Sequence, residues 1–240
     1  MKIKLITLNI HKGATGTRPD ETLSLIKSNI QRERADIVCL QEVLGSHAER
    51  AVKPQFEFLA DEVWSHYAYG KNAVYSQGHH GNAILSHFPI VESENFDISN
   101  HTLERRGVLH AVVARPEAPN SRLHIMTLHL DLTGWGRERQ LHNVRALIEE
   151  RVKGDEPLIL CGDFNDWREK SSCLLRPLNL VEAHFQQHNR YAKTFPARWP
   201  MLKLDRIYTR HLKVLHAGAL ANGNWRQLSD HLPVAAELEW

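Results

Sequence analysis

What is scarce in this sequence narrows its class before any motif is read. There are three cysteines in 240 residues. None stands in a CxxC pair, so the spacing suggests neither a zinc site nor a disulfide framework. Cys39 and Cys161 sit in the apolar runs "DIVCL" and "LILCG", and Cys173 follows two serines. They read as buried structural thiols in a reducing compartment. No apolar run approaches the ~20 residues of a membrane span. The opening "MKIKLITLNIHKG" alternates instead of forming the apolar core of a signal peptide. The expectation is a cytoplasmic protein without stable membrane insertion. A surplus of one charge is also missing, since 30 basic residues face 28 acidic ones for a net +2. That disfavours a protein held on duplex DNA mainly by phosphate contacts, although a local basic groove stays open. No repeat, low-complexity tract or interdomain linker is found.

Histidine is abundant, at 16 copies, so net charge climbs steeply below the imidazole reference pKa of about 6.5. The patterning mixes strands and helices in both halves. "MKIKLITLNI" and "DIVCLQEV" read as strands, the second buried on both faces. Between them "RPDETLSLIKSNIQRERA" carries Leu23, Ile26 and Ile30 at helical spacing, with Pro19 near its start. "PQFEFLADEVW" is a short helix. "AYGKNAVY", "GNAILS", "IVESENFDI", "GVLHAVVAR" and "RLHIMTLHL" are strands joined by short polar turns, as in an antiparallel meander. "GRERQLHNVRALIEERVKG" is the clearest helix, striped by Leu141, Val144, Ile148 and Val152 and stopped at Gly154. "PLILCG" is a strand, "CLLRPLNLVEAHF" a helix or turn, and the tail returns to short strands. Two packed sheets flanked by helices accommodate this order.

Several apolar strands end in residues capable of chemistry. "LITLN" ends in Asn9, followed by His11, and "DIVCLQE" ends in Gln41 and Glu42. "HIMTLHLD" carries His129 and Asp131. "LILCGDFND" ends in Asp163, Asn165 and Asp166. "KLDRIY" brings Asp205, and "LSDHLPV" brings Ser229, Asp230 and His231. Each has a structural explanation when taken alone: a turn amide, a solvated acid, a core histidine, an Asx turn. Taken together, they suit one rim of a sandwich. Converging carboxylates repel unless a cation joins them, and carboxylate and amide oxygens suit Mg²⁺, with Mn²⁺ as the alternative. An Asp–His pair holds an imidazole in one tautomer. This toolkit fits metal-assisted attack of water on a phosphate ester.

The order and spelling of "LNIHKG", "LQEV", "GNAILS", "RRG", "TLHLD", "GDFND", "LDRIY" and "SDHLPV" resemble the endonuclease/exonuclease/phosphatase superfamily, from Leu5 to Val234. The resemblance implies an α/β fold in one domain, residues 1–240: a four-layered α/β/β/α sandwich of two mixed sheets packed face to face, helices outside. It implies Mg²⁺-dependent hydrolysis of phosphoester bonds. Glu42 would be the principal metal ligand with Asn9 nearby and Asp230 close. Asp163 would orient or deprotonate the attacking water, and Asn165 would hold a phosphate oxygen. His231 would contact the scissile phosphate with Asp205 as its partner, and His129 would be a second imidazole there. Arg106, His11 and Asn82 are the candidates for substrate contact, with Arg106 alternatively a solvated charge. His79 and His80 could reach the rim. Asp166 reads as a turn cap. The pattern departs at His11, where many family nucleases carry an Asp near the metal, and the tyrosine of some repair members has only Tyr75 as a candidate.

The leading expectation is a hydrolase of a small-molecule, nucleotide or phospholipid phosphoester. A DNA or RNA nuclease is the alternative, with Lys12, Lys71, Arg105, Arg106, Arg137 and Arg139 as its basic track. A catalytically silent binding protein of the same fold is the third reading. No protein partner is expected.

Overall fold

The structure is a computed structural model describing residues 1–13, 19–47, 53–76, 78–101 and 104–240. In chain order the first half forms β1 (Lys2–Asn9), α1 (Pro19–Arg32), β2 (Ile37–His47), α2 (Gln55–Ala60), β3 (His66–Tyr75), β4 (Gly78–Ser86), β5 (Ile90–Asp97), β6 (Gly107–Arg115) and β7 (Ala118–His129). The second half forms α3 (Gly134–Arg151), β8 (Leu158–Asp163), α4 (Ser171–Leu175), β9 (Val181–Glu182), α5 (Ala183–His188), β10 (Asp205–Arg210), β11 (Lys213–Ala219), α6 (Trp225–Leu228) and β12 (Val234–Glu239).

The strands form two six-stranded sheets, ordered β11-β12-β1-β2-β4-β3 and β5-β6-β7-β8-β10-β9. Each sheet contains one parallel pair, β1 with β2 and β7 with β8. A parallel pair needs a crossover, and α1 and α3 supply the two. Both sheets are therefore mixed, as the motif resemblance implied. The meander read between β3 and β7 is broken, however. β4 and β5 lie in opposite sheets, because the short turn after Ser86 carries the chain across the sandwich.

Apolar surface fills three layers. Between the sheets, Leu5, Ile37 and Ile84 from one side meet Leu109, Ile125 and Ile207 from the other. Outside the first sheet, Ile26 and Ile30 of α1 and Trp225 and Leu228 of α6 cover Leu8, Val38 and Leu85. Outside the second, Leu141, Val144 and Ile148 of α3 cover Met126, Leu158 and Leu160. Strands covered on both faces show continuous apolar runs, which is why "DIVCL" and "LILCG" never alternate. Gly154 does not end α3: the helix stops at Arg151, with the Val152 N–H bonded to Ile148 O at 3.0 Å. Cys39 and Cys161 are buried and free as expected, but Cys173 is exposed, since α4 turns that side outward.

Candidate active site

The carboxyl ends of the two parallel pairs open on the same rim. Asn9 ends β1 and Glu42 lies in β2; His129 ends β7 and Asp163 ends β8. Ligand sites of α/β sheets lie outside such carboxyl ends. Two backbone devices aim these side chains. In β2, Gln41 and Glu42 together oppose the single Asn82 of β4, since Leu40 pairs with Ala83 and Val43 with Gly81. This bulge puts Glu42 at φ 55° and turns its carboxylate toward the rim. In β8, Gly162 stands at φ +133°, where an added Cβ would lie 2.0 Å from Leu128 O. Only glycine fits this close approach of the backbones.

The polar groups delivered there form a continuous web. Asn9 Nδ2 donates to Glu42 Oε1 at 3.3 Å and to Asp163 Oδ2 at 3.2 Å. His231 Nδ1 lies 2.8 Å from Asp205 Oδ2, and its Nε2 is 3.7 Å from Asp163 Oδ2. His129 Nε2 lies 3.5 Å from the same Asp163 oxygen. Arg106 Nη1 lies 3.3 Å from His129 Nδ1. A guanidinium only donates, so His129 Nδ1 accepts and that imidazole is neutral.

Burial sets the protonation states. It pushes the Asp163 carboxyl up to about 6, opposed by the nearby His231. Burial alone would lower His231, but the carboxylates of Asp205 and Asp163 outweigh it and push the imidazole up to about 10. His129 is held well below its ordinary value by burial and then by Arg106. The rim thus carries a cationic His231, a neutral His129 and a carboxyl that titrates just below neutrality.

The sequence matches the model of the Endonuclease/Exonuclease/phosphatase family over residues 6–231. The chain belongs to this family. It is 42% identical to "Uncharacterized protein YbhP" of Escherichia coli K12 over 243 aligned positions, covering 98% of this chain and 95% of that one. Among solved structures it is similar to the endonuclease/exonuclease/phosphatase of Beutenbergia cavernae, with TM-score 0.82, 21% identity and coverage of 99% of this chain and 71% of that one. It is also similar to the mannosyl-6-phosphatase Bt3783 of Bacteroides thetaiotaomicron, with TM-score 0.77, 20% identity and coverage of 99% and 100%. At these identities the likeness is one of fold. Members of the family are generally hydrolases of phosphoester bonds and typically use divalent metals.

The other candidates of this family member sit as follows. Asn165 (φ 49°) donates its side-chain N–H to Leu130 O at 2.9 Å, and its backbone N–H to Asp163 Oδ1 at 2.9 Å. Asp230 Oδ2 lies 3.5 Å from His11 Nδ1, both partly exposed beside Asn9. Arg106 is no solvated charge: it is largely buried and pairs with Glu104 as well as His129. Asn82 is buried opposite Gln41 and Glu42. Its Nδ2 donates to Gly107 O at 3.0 Å and Thr127 O at 3.3 Å, both in the opposite sheet. Asp166 ends in a structural knot, accepting from Ser171 N and Oγ at 2.7 Å each. His80 is buried and Tyr75 stacks on it at 5.4 Å; burial, then the Lys12 charge, lowers His80 to about 4.

Sequence reasoning gave no role to Ser229 beyond its place in "SDH". Its Oγ donates to Asn9 O at 2.6 Å and accepts from the His231 N–H at 3.2 Å, joining the first and last site strands. The hydroxyl two residues before a strand-end histidine was the available signal.

Proposed function

We propose that residues 1–240 act as one catalytic domain, a Mg²⁺-dependent hydrolase of phosphoester bonds in which water attacks the phosphorus in line. The observation that supports this best is the single web from Glu42 through Asn9 and Asp163 to the His231–Asp205 pair. The donor set fits a hard dication. Two carboxylates, Glu42 and Asp163, share the neutral amide of Asn9, and Asp205 Oδ1 is buried without a partner. Glu42, Asn9 and the partly exposed Asp230 offer the oxygen donors that Mg²⁺ or Mn²⁺ prefers. A dication held there supplies Lewis-acid neutralisation of a phosphoryl oxygen.

The chain's own groups take the remaining roles. Asp163, with a pKa of about 6, is ionised at neutral pH yet basic enough to accept a proton from water. Cationic His231, fixed by Asp205, faces charge developing on the phosphoryl oxygens. Neutral His129 presents an N–H from the opposite sheet, and the second N–H of Asn165 serves the same purpose. Groups of this kind are worth about 2.7–4 kcal/mol each in a transition state. Asp163→Asn and His231→Ala should each lower kcat by about a hundredfold or more on a generic phosphodiester. Turnover near that of the wild type in either variant rejects the assignment.

The nuclease alternative finds less support. Arg105 pairs with Asp97, Arg106 with Glu104, and Arg137 is buried against carbonyl oxygens, so half of the expected basic track is engaged within the protein. The buried free thiols Cys39 and Cys161 support the cytoplasm as the working compartment.

A further inference from the structure

The exposed tryptophans of this protein are not scattered. Trp135 is 67%, Trp167 43% and Trp199 78% exposed. Trp135 lies in the first turn of α3, just after β7; Trp167 lies in the loop after β8; Trp199 lies in the hairpin before β10. Exposed aliphatic residues accompany them, Leu132 beside the first pair and Met201 and Leu202 beside the third. Single exposed apolar residues need no explanation, but a contiguous group marks an interaction surface.

These residues are held in place. Arg137 is buried, donates to Leu132 O at 2.7 Å and lies 4.7 Å from the Trp167 ring centroid. The hairpin presenting Trp199 is closed by the Phe195–Leu202 bridge, and Phe195 packs on catalytic His231 with ring centroids 5.0 Å apart. An ion pair between Lys203 and Glu169 and a hydrogen bond from Phe164 N to Leu204 O, 2.9 Å, join the hairpin to the loop after β8. The two apolar groups therefore form one border of the rim. A cavity of about 770 Å³ opens between Trp135 and Trp167, floored by Leu141 and Leu174. Along the border Arg139, Arg168, Lys170, Lys193 and Arg198 are exposed, and Glu138 is the exposed acid.

Resting on the phosphoester hydrolase reading, we infer that this border docks on an anionic lipid bilayer and that the substrate is a phosphoester presented by a lipid, whose apolar part enters the cavity. Indoles among basic residues match the headgroup region, where amphipathic rings and cations both gain. A single-stranded nucleic acid also uses aromatics and cations. Leu132, Met201 and Leu202 offer no stacking face, however. Arg137 over Trp167 and Arg139 over Trp135, the latter at 5.7 Å, already cover one face of each ring.

Sedimentation of the whole protein with vesicles tests the docking. It should pellet with phosphatidylcholine vesicles containing phosphatidylglycerol, less as salt rises, with a blue shift in tryptophan emission. Trp135→Ala with Trp199→Ala should weaken partitioning about tenfold or more. Arg168→Glu with Lys170→Glu should do the same for the anionic vesicles. Tyr67→Ala, at the opposite end of the sandwich, should change nothing. Matching thermal melts exclude misfolding. Failure to pellet overturns the inference, as does equal loss with Tyr67→Ala. Tryptophan-dependent binding of a single-stranded oligonucleotide without vesicle binding also overturns it. Turnover of a water-soluble aryl phosphodiester is read separately. Turnover without vesicle binding overturns the docking border alone. Vesicle binding without turnover of soluble or lipid esters supports the border and overturns the hydrolase reading.

Discussion

At the scale of single residues, the site depends on charges placed where water is scarce. His231 stays protonated because Asp205 and Asp163 outweigh the burial that opposes its charge. Asp205→Asn removes the nearest of these carboxylates, so the imidazole loses its proton at lower pH. If His231 acts as a cation, the alkaline limb of the kcat profile should move down in this variant, and the acid limb set by Asp163 should also move down from about 6, because the Asp205 charge helps to raise that carboxyl. An alkaline limb that does not move would separate His231 from the chemistry. Arg206 shows the limit of reading charges one at a time. In "LDRIY" it stands beside Asp205 as one of two adjacent opposite charges. In the structure it is fully buried, lies 3.3 Å from Asp166 and stacks at 4.3 Å on Tyr191. A guanidinium can be buried when it is paired: both Nη groups donate, to Tyr208 Oη and to the carbonyl of Asp166, and nothing in the local pattern announced the partners.

At the scale of elements, strand ends and caps decide where the chemistry sits. Gly162→Ala should destabilise the fold by about 2 kcal/mol or more, because the new Cβ meets Leu128 O and the strand must move. It should also lower kcat, since Asp163 moves with the strand; thermal melts and turnover measure the two effects. Glu182 precedes α5 and its carboxylate accepts the Phe185 N–H at 2.6 Å. Burial nevertheless pushes it up to about 7 from the ordinary 4.5. The folded state therefore binds this proton more tightly than the unfolded chain does, so the group penalises folding above pH 7 and the penalty is relieved as pH falls toward 4.5. Glu182→Gln should be more stable than the wild type above pH 7, and the difference in melting temperature should shrink toward pH 4.5.

At the scale of the whole molecule, two buried amides tie the sheets together beneath the site. Gln41 Nε2 donates to Thr7 Oγ1 at 3.1 Å and to Thr127 Oγ1 at 2.9 Å, one in each sheet. Asn82 spans the gap beside it. Asn82→Ala leaves Gly107 O and Thr127 O without these donors and should cost about 1–3 kcal/mol in denaturant unfolding, with little loss of metal affinity. Unchanged stability with a raised KM would instead make substrate contact the main role of Asn82. The tie is a property of the assembled sandwich: one strand carries the amide and the other sheet carries its acceptors.

The sequence by itself determined the mixed α/β class, most strand positions and the polar residues at strand ends, because apolar periodicity and strand-end chemistry are local. It also pointed to the family, through motifs whose order survives without coordinates. Only the tertiary structure decided that β4 and β5 part into different sheets, that Arg206 is buried and that Asn82 bonds across to the second sheet. It alone gathered three tryptophans from separate segments beside the rim. These facts depend on which surfaces meet across the sandwich, and residues far apart in sequence carry no local record of their neighbours.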